Sequence, residues 1–250
     1  MGHVIAGLIS LCYASGILRS HCRKSAEVAG NFMELLVATL VSMFAERDTD
    51  SAGQIHSLAD TLRGAPGLHS SRFYRNRGDP TCFLLLTTWE DTESWRQARA
   101  EFNPKTLLLK SASGMLQAQP EQWVMQYLWG YYRPAAPATL TAVHLATIRA
   151  GYEDTCQQGW VNGLRQQVNQ STLSSAFLAR GRSEGFFAPP SVPSTGTGKH
   201  AQQHNPVFLN LFSWSTEAEH RALYTSPYYQ ALDLFIRNQG VMRVFPLEPI

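Results

Sequence analysis

One stretch of this chain occurs twice. Phe83-Leu84-Leu85-Leu86-Thr87-Thr88-Trp89-Glu90-Asp91-Thr92-Glu93-Ser94-Trp95 is answered 125 residues later by Phe208-Leu209-Asn210-Leu211-Phe212-Ser213-Trp214-Ser215-Thr216-Glu217-Ala218-Glu219-His220. Each copy opens as an apolar strand that ends in Trp and runs into an acidic helix start. In the second copy Ser215 or Thr216 is a natural N-cap. A strand-to-helix junction repeated at this distance requires the same unit to be built twice, and the surrounding elements follow suit.

In the first half, Leu35 to Val41 reads as a buried strand from its nearly unbroken apolar content. Ser51 to Leu62 reads as a helix with Ile55, Leu58, Ala59 and Leu62 on one face, stopped by Gly64 and Pro66-Gly67. Leu68 to Arg75 and Cys82 to Trp89 are strands joined by a turn at Arg77-Gly78-Asp79-Pro80. Thr92 to Phe102 is a helix, Pro104 opens another, and Gln122 to Trp129 is a fourth strand. Tyr131 to Pro137 reads as a linker stiffened by two prolines. The order then begins again: strand Leu140 to Ile148, helix Tyr152 to Val168, strands Leu173 to Ala179 and Phe208 to Trp214, helical Glu217 to Asn238 with Pro227 opening a second segment, and strand Val241 to Phe245. Each half is strand, helix, strand, strand, helix, strand, the ferredoxin-like split unit. Such a sheet carries helices on one face only, and the second copy can cover the other, packing two sheets face to face in one α+β chain. The domains are 31–133 and 138–250, with 1–30 outside the repeat.

Composition narrows the functional classes. With 250 residues, 44% of them hydrophobic, the chain can bury one large core or two small ones. A net charge of +2 without a long basic run gives no nucleic-acid surface. Cys12, Cys22, Cys82 and Cys156 lie far apart with no CxxC pairing, so a reduced, metal-free, cytoplasmic protein is expected. Gly198-Lys199 lacks the preceding glycine and following Ser or Thr of a phosphate loop. Val4 to Leu18 is apolar but short for a span, and its basic cluster (Arg19, Arg23, Lys24) follows it rather than preceding it as in a cleaved signal. Residues 1–30 therefore read as an extra helix or packed arm; the alternative, a short membrane anchor, stays open.

Each half resembles the antibiotic biosynthesis monooxygenase (ABM) family. The resemblance rests on the Trp-ended strands (Leu84 to Trp89, Leu209 to Trp214), the acidic helix start and the tract from His220 to Tyr229. It covers about 31–130 and 138–248. It implies a dimeric α/β barrel whose two protomers are here fused into one pseudo-dimeric barrel; further homo-dimerisation stays open. Quinone-forming members carry Asn four residues before the strand-ending Trp. The second half matches with Asn210 and Trp214; the first half has Leu85 at the Asn position and keeps Trp89. The first half thus reads as scaffold and the second as the site.

Each candidate has a plain alternative. Asn210, in an apolar strand, either bonds neighbouring backbone or faces a cavity and holds a substrate carbonyl or enolate oxygen. Trp214 is core or the wall for a flat aromatic substrate. His220, near a helix start, is a solvated residue or a general base. His144 is a satisfied core histidine, a pocket acid/base or a haem ligand. Tyr224 and Tyr228, four apart and on one helix face, are core or pocket rim, as is Trp160. The Pro-rich segment Ser183 to Pro206, with Phe186, Phe187, His200 and His204, is disordered or a lid.

The resemblance implies a tailoring enzyme of secondary metabolism: a monooxygenase using no metal, flavin or other cofactor. Its substrate would be a polycyclic phenol or polyketide-like small molecule that reacts with O2. Cyclase or isomerase chemistry in the same pocket and a non-catalytic ligand-binding barrel are the alternatives.

Overall fold

The computed structural model describes residues 26–27, 35–45, 48–134, 136–170, 173–183 and 205–250. A two-residue strand, β1 (Ala26–Glu27), precedes the first half. That half runs β2 (Leu35–Ser42), α1 (Asp48–Arg63), β3 (Leu68–Asn76), β4 (Cys82–Trp89), α2 (Thr92–Phe102), α3 (Pro104–Ser111) and β5 (Glu121–Tyr132). The second runs β6 (Leu140–Ile148), α4 (Glu153–Asn169), β7 (Ser175–Ser183), β8 (Val207–Trp214), α5 (Glu217–Thr225), α6 (Pro227–Gln239) and β9 (Gly240–Pro249). The arm before Ala26 and the segment 184–204, read above as anchor or packed arm and as lid or disorder, lie outside the described residues.

The helix starts follow from capping chemistry. The Asp91 carboxylate accepts the Ser94 N–H at 2.7 Å to open α2. Asn103 caps α3 ahead of Pro104. Thr216 and Glu219 form a complete capping box on α5, and Ser226 caps α6 ahead of Pro227.

Within each half the strands take the same order. It is β5-β2-β4-β3 in the first and β9-β6-β8-β7 in the second, every neighbour antiparallel. Numbered within its half, each sheet is 4-1-3-2, the ferredoxin-like arrangement. The sheets do more than face each other: β5 joins β7 and β3 joins β9, closing an eight-stranded barrel. Edge pairing satisfies backbone groups that two merely stacked sheets would leave open. The seams are unequal, with nine residue pairs between β5 and β7 and three between β3 and β9. The longer seam explains why β5 outruns its expected end: Tyr131 and Tyr132 pair with Ala176 and Ser175 instead of belonging to the linker, and β1 adds to their other edge. β9 likewise extends to Pro249, where it meets β3.

Three apolar layers result. Leu36, Leu84, Met125, Val143, Leu209 and others from both halves fill the barrel. The outer face of each sheet is buried under its own helices, Ile55, Leu62, Phe83, Leu85 and Trp95 contributing in the first half and Trp160, Phe208, Phe212 and Trp214 in the second. Every residue of β8 is buried, because the strand has barrel on one side and helices on the other. Alternation along β8 sends Leu209 and Leu211 into the barrel and Phe208, Asn210, Phe212 and Trp214 towards the helices.

Candidate functional site

The outer layer of the second half holds a concentration of polar groups among aromatic rings. In the register of β6 and β8, His144 is directly opposite Asn210. Both are fully buried. His144 faces the covering helices, one of the two orientations the sequence left open. Its Nε2 lies 2.8 Å from the Tyr224 hydroxyl on α5. Rings surround it: Phe212 at 4.9 Å, Tyr229 at 5.5 Å and Trp160 at 6.0 Å between centroids.

The second half of the cluster hangs from α5. His220 meets the Trp214 ring at 4.7 Å and the Tyr224 ring at 4.9 Å, both edge-on. Its Nδ1 lies 3.5 Å from the Glu217 carboxylate, too loosely for a hydrogen bond, and the side chain keeps 30% of its exposure. The capping box fixes where this helix begins. Glu219 accepts from the Ser215 and Thr216 N–H groups and pairs with Arg133 of the linker at 3.3 Å.

Electrostatically the centre is neutral. Burial, and after it the electrostatic influence of nearby His220, pushes the His144 pKa down to about 3. Burial also raises the Tyr224 phenol above its ordinary value. The His144–Tyr224 hydrogen bond therefore joins an uncharged imidazole to an uncharged phenol, and either can donate. Around it, His144 Nδ1, both amide atoms of Asn210 and the indole N–H of Trp214 are buried with no hydrogen-bond partner among the described residues. Each such group costs roughly 1–3 kcal/mol if nothing binds it.

The same register in the first half is closed. Leu85 takes the place of Asn210 and Thr39, opposite Leu85, the place of His144. Gln122 donates its amide to Thr39 Oγ1 at 2.8 Å. The Trp89 indole, unlike that of Trp214, donates to Thr87 Oγ1 at 3.0 Å. Trp95 stands where the second half has His220 and packs on Trp89 at 5.0 Å.

The structure thus brings together Asn210, His144, His220, Trp214, Tyr224 and Trp160. It does not bring in Tyr228. The expected shared face of Tyr224 and Tyr228 fails because the helix breaks at Ser226, which ends α5 and caps α6. The phase resets, and Tyr229 meets Tyr224 at 4.8 Å instead. Tyr228 turns to α4, where its hydroxyl donates to the Gly159 carbonyl and its ring occupies the space a side chain at Gly163 would need. Phe212 and Tyr229 are additions to the sequence-derived set. Phe212 was legible as the residue two beyond Asn210 on the same strand face, and Tyr229 through the Ser-Pro cap. Among the described residues no group of three or more His, Cys, Asp or Glu side chains could hold a metal ion.

Fold and site together define a class: two ferredoxin-like halves closed into one barrel, with a polar cluster under the helices of one half. The model of the family "Antibiotic biosynthesis monooxygenase" matches residues 37–101, within the first half. The chain folds as two ferredoxin-like halves closed into one α/β barrel, and the family model matches part of its first half. It is similar over 91% of its length to 94% of an anthrone oxidase-like protein, with a TM-score of 0.66 and 10% identity. It also resembles an inferred monooxygenase of Fusobacterium nucleatum (TM-score 0.59, 7% identity, 88% of this chain and 94% of that one). A third similar structure, another inferred monooxygenase, comes from Lactobacillus acidophilus (TM-score 0.52, 6% identity, 87% and 94%). At these identities the likeness is one of fold. No curated protein matches the sequence.

Proposed function

We propose that the second half is the active site of a monooxygenase that oxidises a flat phenolic or polyketide-like substrate with O2, the substrate itself supplying the electrons. The observation that carries this reading is the fully buried, unpartnered amide of Asn210 beside His144, at a position the first half fills with leucine. The family match and the anthrone oxidase-like neighbour support it.

For an anthrone, the reaction replaces a ring CH2 by a carbonyl: substrate plus O2 gives quinone plus water. A base removes one C–H proton and leaves an enolate. The enolate passes one electron to O2, and the carbon radical and superoxide combine to form the C–O bond. Protonation gives a hydroperoxide, which loses water as the second C–H proton leaves. The Asn210 N–H2 group donates to the enolate oxygen, where negative charge develops. Trp214 and Phe212 supply the apolar wall that orients the rings. His220 takes and returns the proton, since its side chain is part-exposed and lies against the Trp214 and Tyr224 rings. His144, held neutral by burial, acts with Tyr224 as a hydrogen-bonding pair rather than as a store of charge.

The test is oxygen uptake by the purified protein with 1,8-dihydroxyanthracen-9-one, with quinone followed by absorbance. One O2 should be consumed per quinone formed. Asn210→Ala should lower the rate on the order of 100-fold, the scale of losing one oxyanion donor. Conversion at the same rate without O2 would replace this reading by cyclase or isomerase chemistry. A wild-type rate equal to autoxidation would remove it for this substrate class.

A further inference from the structure

We infer that the site opens across β9, and that Val244 is its sill and specificity-determining residue. The sheet register carries the argument. On the helix-facing side of the second half, one residue from each strand forms a row: Leu178, Asn210, His144, Val244. Leu178, Asn210 and His144 are fully buried, whereas Val244 is 41% exposed. The residues two before and two after the central pair on the same face are Ala142 and Ala146 on β6 and Phe208 and Phe212 on β8, all buried. Of the residues directly opposite His144 and Asn210, or two along from them on their own strands, Val244 alone is exposed; beyond it on β9, Met242 is half-buried and Pro246 exposed.

The first half supplies the closed version of the same row: Phe73, Leu85, Thr39, Gln122. Gln122, at the position of Val244, is only 3% exposed and its amide is bonded to Thr39. Valine has no group to offer His144. The imidazole Nδ1 is attached next to the ring carbon nearest the backbone, so it lies low against the sheet, where the cross-strand neighbours are Asn210 and Val244. It has no partner among the described residues. The row is also shallower at its centre. Thr39 is flanked along its strand by Val37 and Val41, but His144 by Ala142 and Ala146.

An apolar sill in front of a buried amide and imidazole selects a particular ligand shape. It must be flat, lead with a carbonyl or hydroxyl that bonds Asn210 and His144, and leave an unsubstituted aromatic edge against Val244. The identity of the ligand rests on the function proposed above; the place of the opening does not.

Two variants and two readouts test this. Val244→Gln copies the first half, and Val244→Ala lowers the sill. In ligand-free protein, hydroxyl-radical labelling of His144, fully buried in the wild type, should rise in Val244→Ala and should not rise in Val244→Gln, read by mass spectrometry. With 1,8-dihydroxyanthracen-9-one, quenching of tryptophan fluorescence should show binding weakened about tenfold or more by Val244→Gln and retained by Val244→Ala. If both variants label like wild type, the opening is elsewhere and the inference is overturned, whatever the anthrone does. If labelling changes as expected but the anthrone binds no variant and not the wild type, the opening stands and the proposed substrate class fails. Thermal melting checks that each variant is folded; should Val244→Gln not fold, the increased labelling in Val244→Ala still decides.

Discussion

Replacing Asn210 with leucine should stabilise the protein while abolishing its proposed activity. Asn210 and Leu85 are register equivalents, and Leu85 is fully buried in a well-packed apolar layer. The two side chains branch at the same carbon and have the same number of heavy atoms, so Asn210→Leu keeps the shape and adds only the extra bulk of two methyl groups over the amide atoms. It removes two polar atoms that are buried without partners. Relief of an unsatisfied buried amide is worth about 1–3 kcal/mol. In a chain of this size each kcal/mol moves Tm by about 2–4 °C. Calorimetric melts should therefore place Asn210→Leu several degrees above wild type. The mirror change, Leu85→Asn, buries an amide where the first half offers no partner and should lower stability by about 2–4 kcal/mol. If Asn210→Leu melts at or below wild type, the amide is satisfied in solution and the reasoning that it is held ready for a ligand is refuted.

His144 adds a pH dependence of known sign. Its folded pKa of about 3 lies below the ordinary 6.5, so between these values the unfolded chain takes up a proton that the folded chain refuses. Stability should be unaffected above pH 6.5 and fall as pH drops towards 3, by up to about 1.4 kcal/mol per pH unit from this group. Urea unfolding from pH 7 to 4.5 should show a shallower fall in His144→Gln; parallel curves would show that the imidazole charges in place. On α4, Gly163→Ala should destabilise by about 1–3 kcal/mol despite the better helix propensity of alanine, because the new methyl meets the Tyr228 ring. Gly53→Ala on α1, which meets nothing, should stabilise by about 0.5–1 kcal/mol. Denaturant midpoints of the pair check both signs.

The architecture was readable because it is written twice. The offset between Trp89 and Trp214 also links Leu85 with Asn210 and Trp95 with His220, so the inequality of the halves is legible in the sequence itself. What could not be read was long-range register. Whether His144 faced the barrel or the helices, and that it stood opposite Asn210, depends on pairing between strands more than 60 residues apart in sequence. The same holds for Val244, which in the sequence is one more apolar residue in a strand. The Tyr224–Tyr228 expectation failed for a local reason: helical spacing was carried across Ser226-Pro227, the very residues that end one helix and start the next. Strand ends were misjudged where the barrel seam, rather than local propensity, extends pairing, as at Tyr131 and Tyr132.

The unequal seams and unequal outer layers bear on what a single chain can do that a pair of identical chains cannot. In a two-fold dimer every residue appears twice, so each contact across one seam is repeated across the other, and a destabilising polar pocket must be carried by both protomers. Joining the protomers through Arg133 to Thr139 lifts that constraint. One half is free to settle into a tightly satisfied layer, with Gln122 on Thr39 and Trp89 on Thr87. The other can keep open valences at Asn210 and His144. The broken symmetry makes the stable half a counterweight to the reactive one.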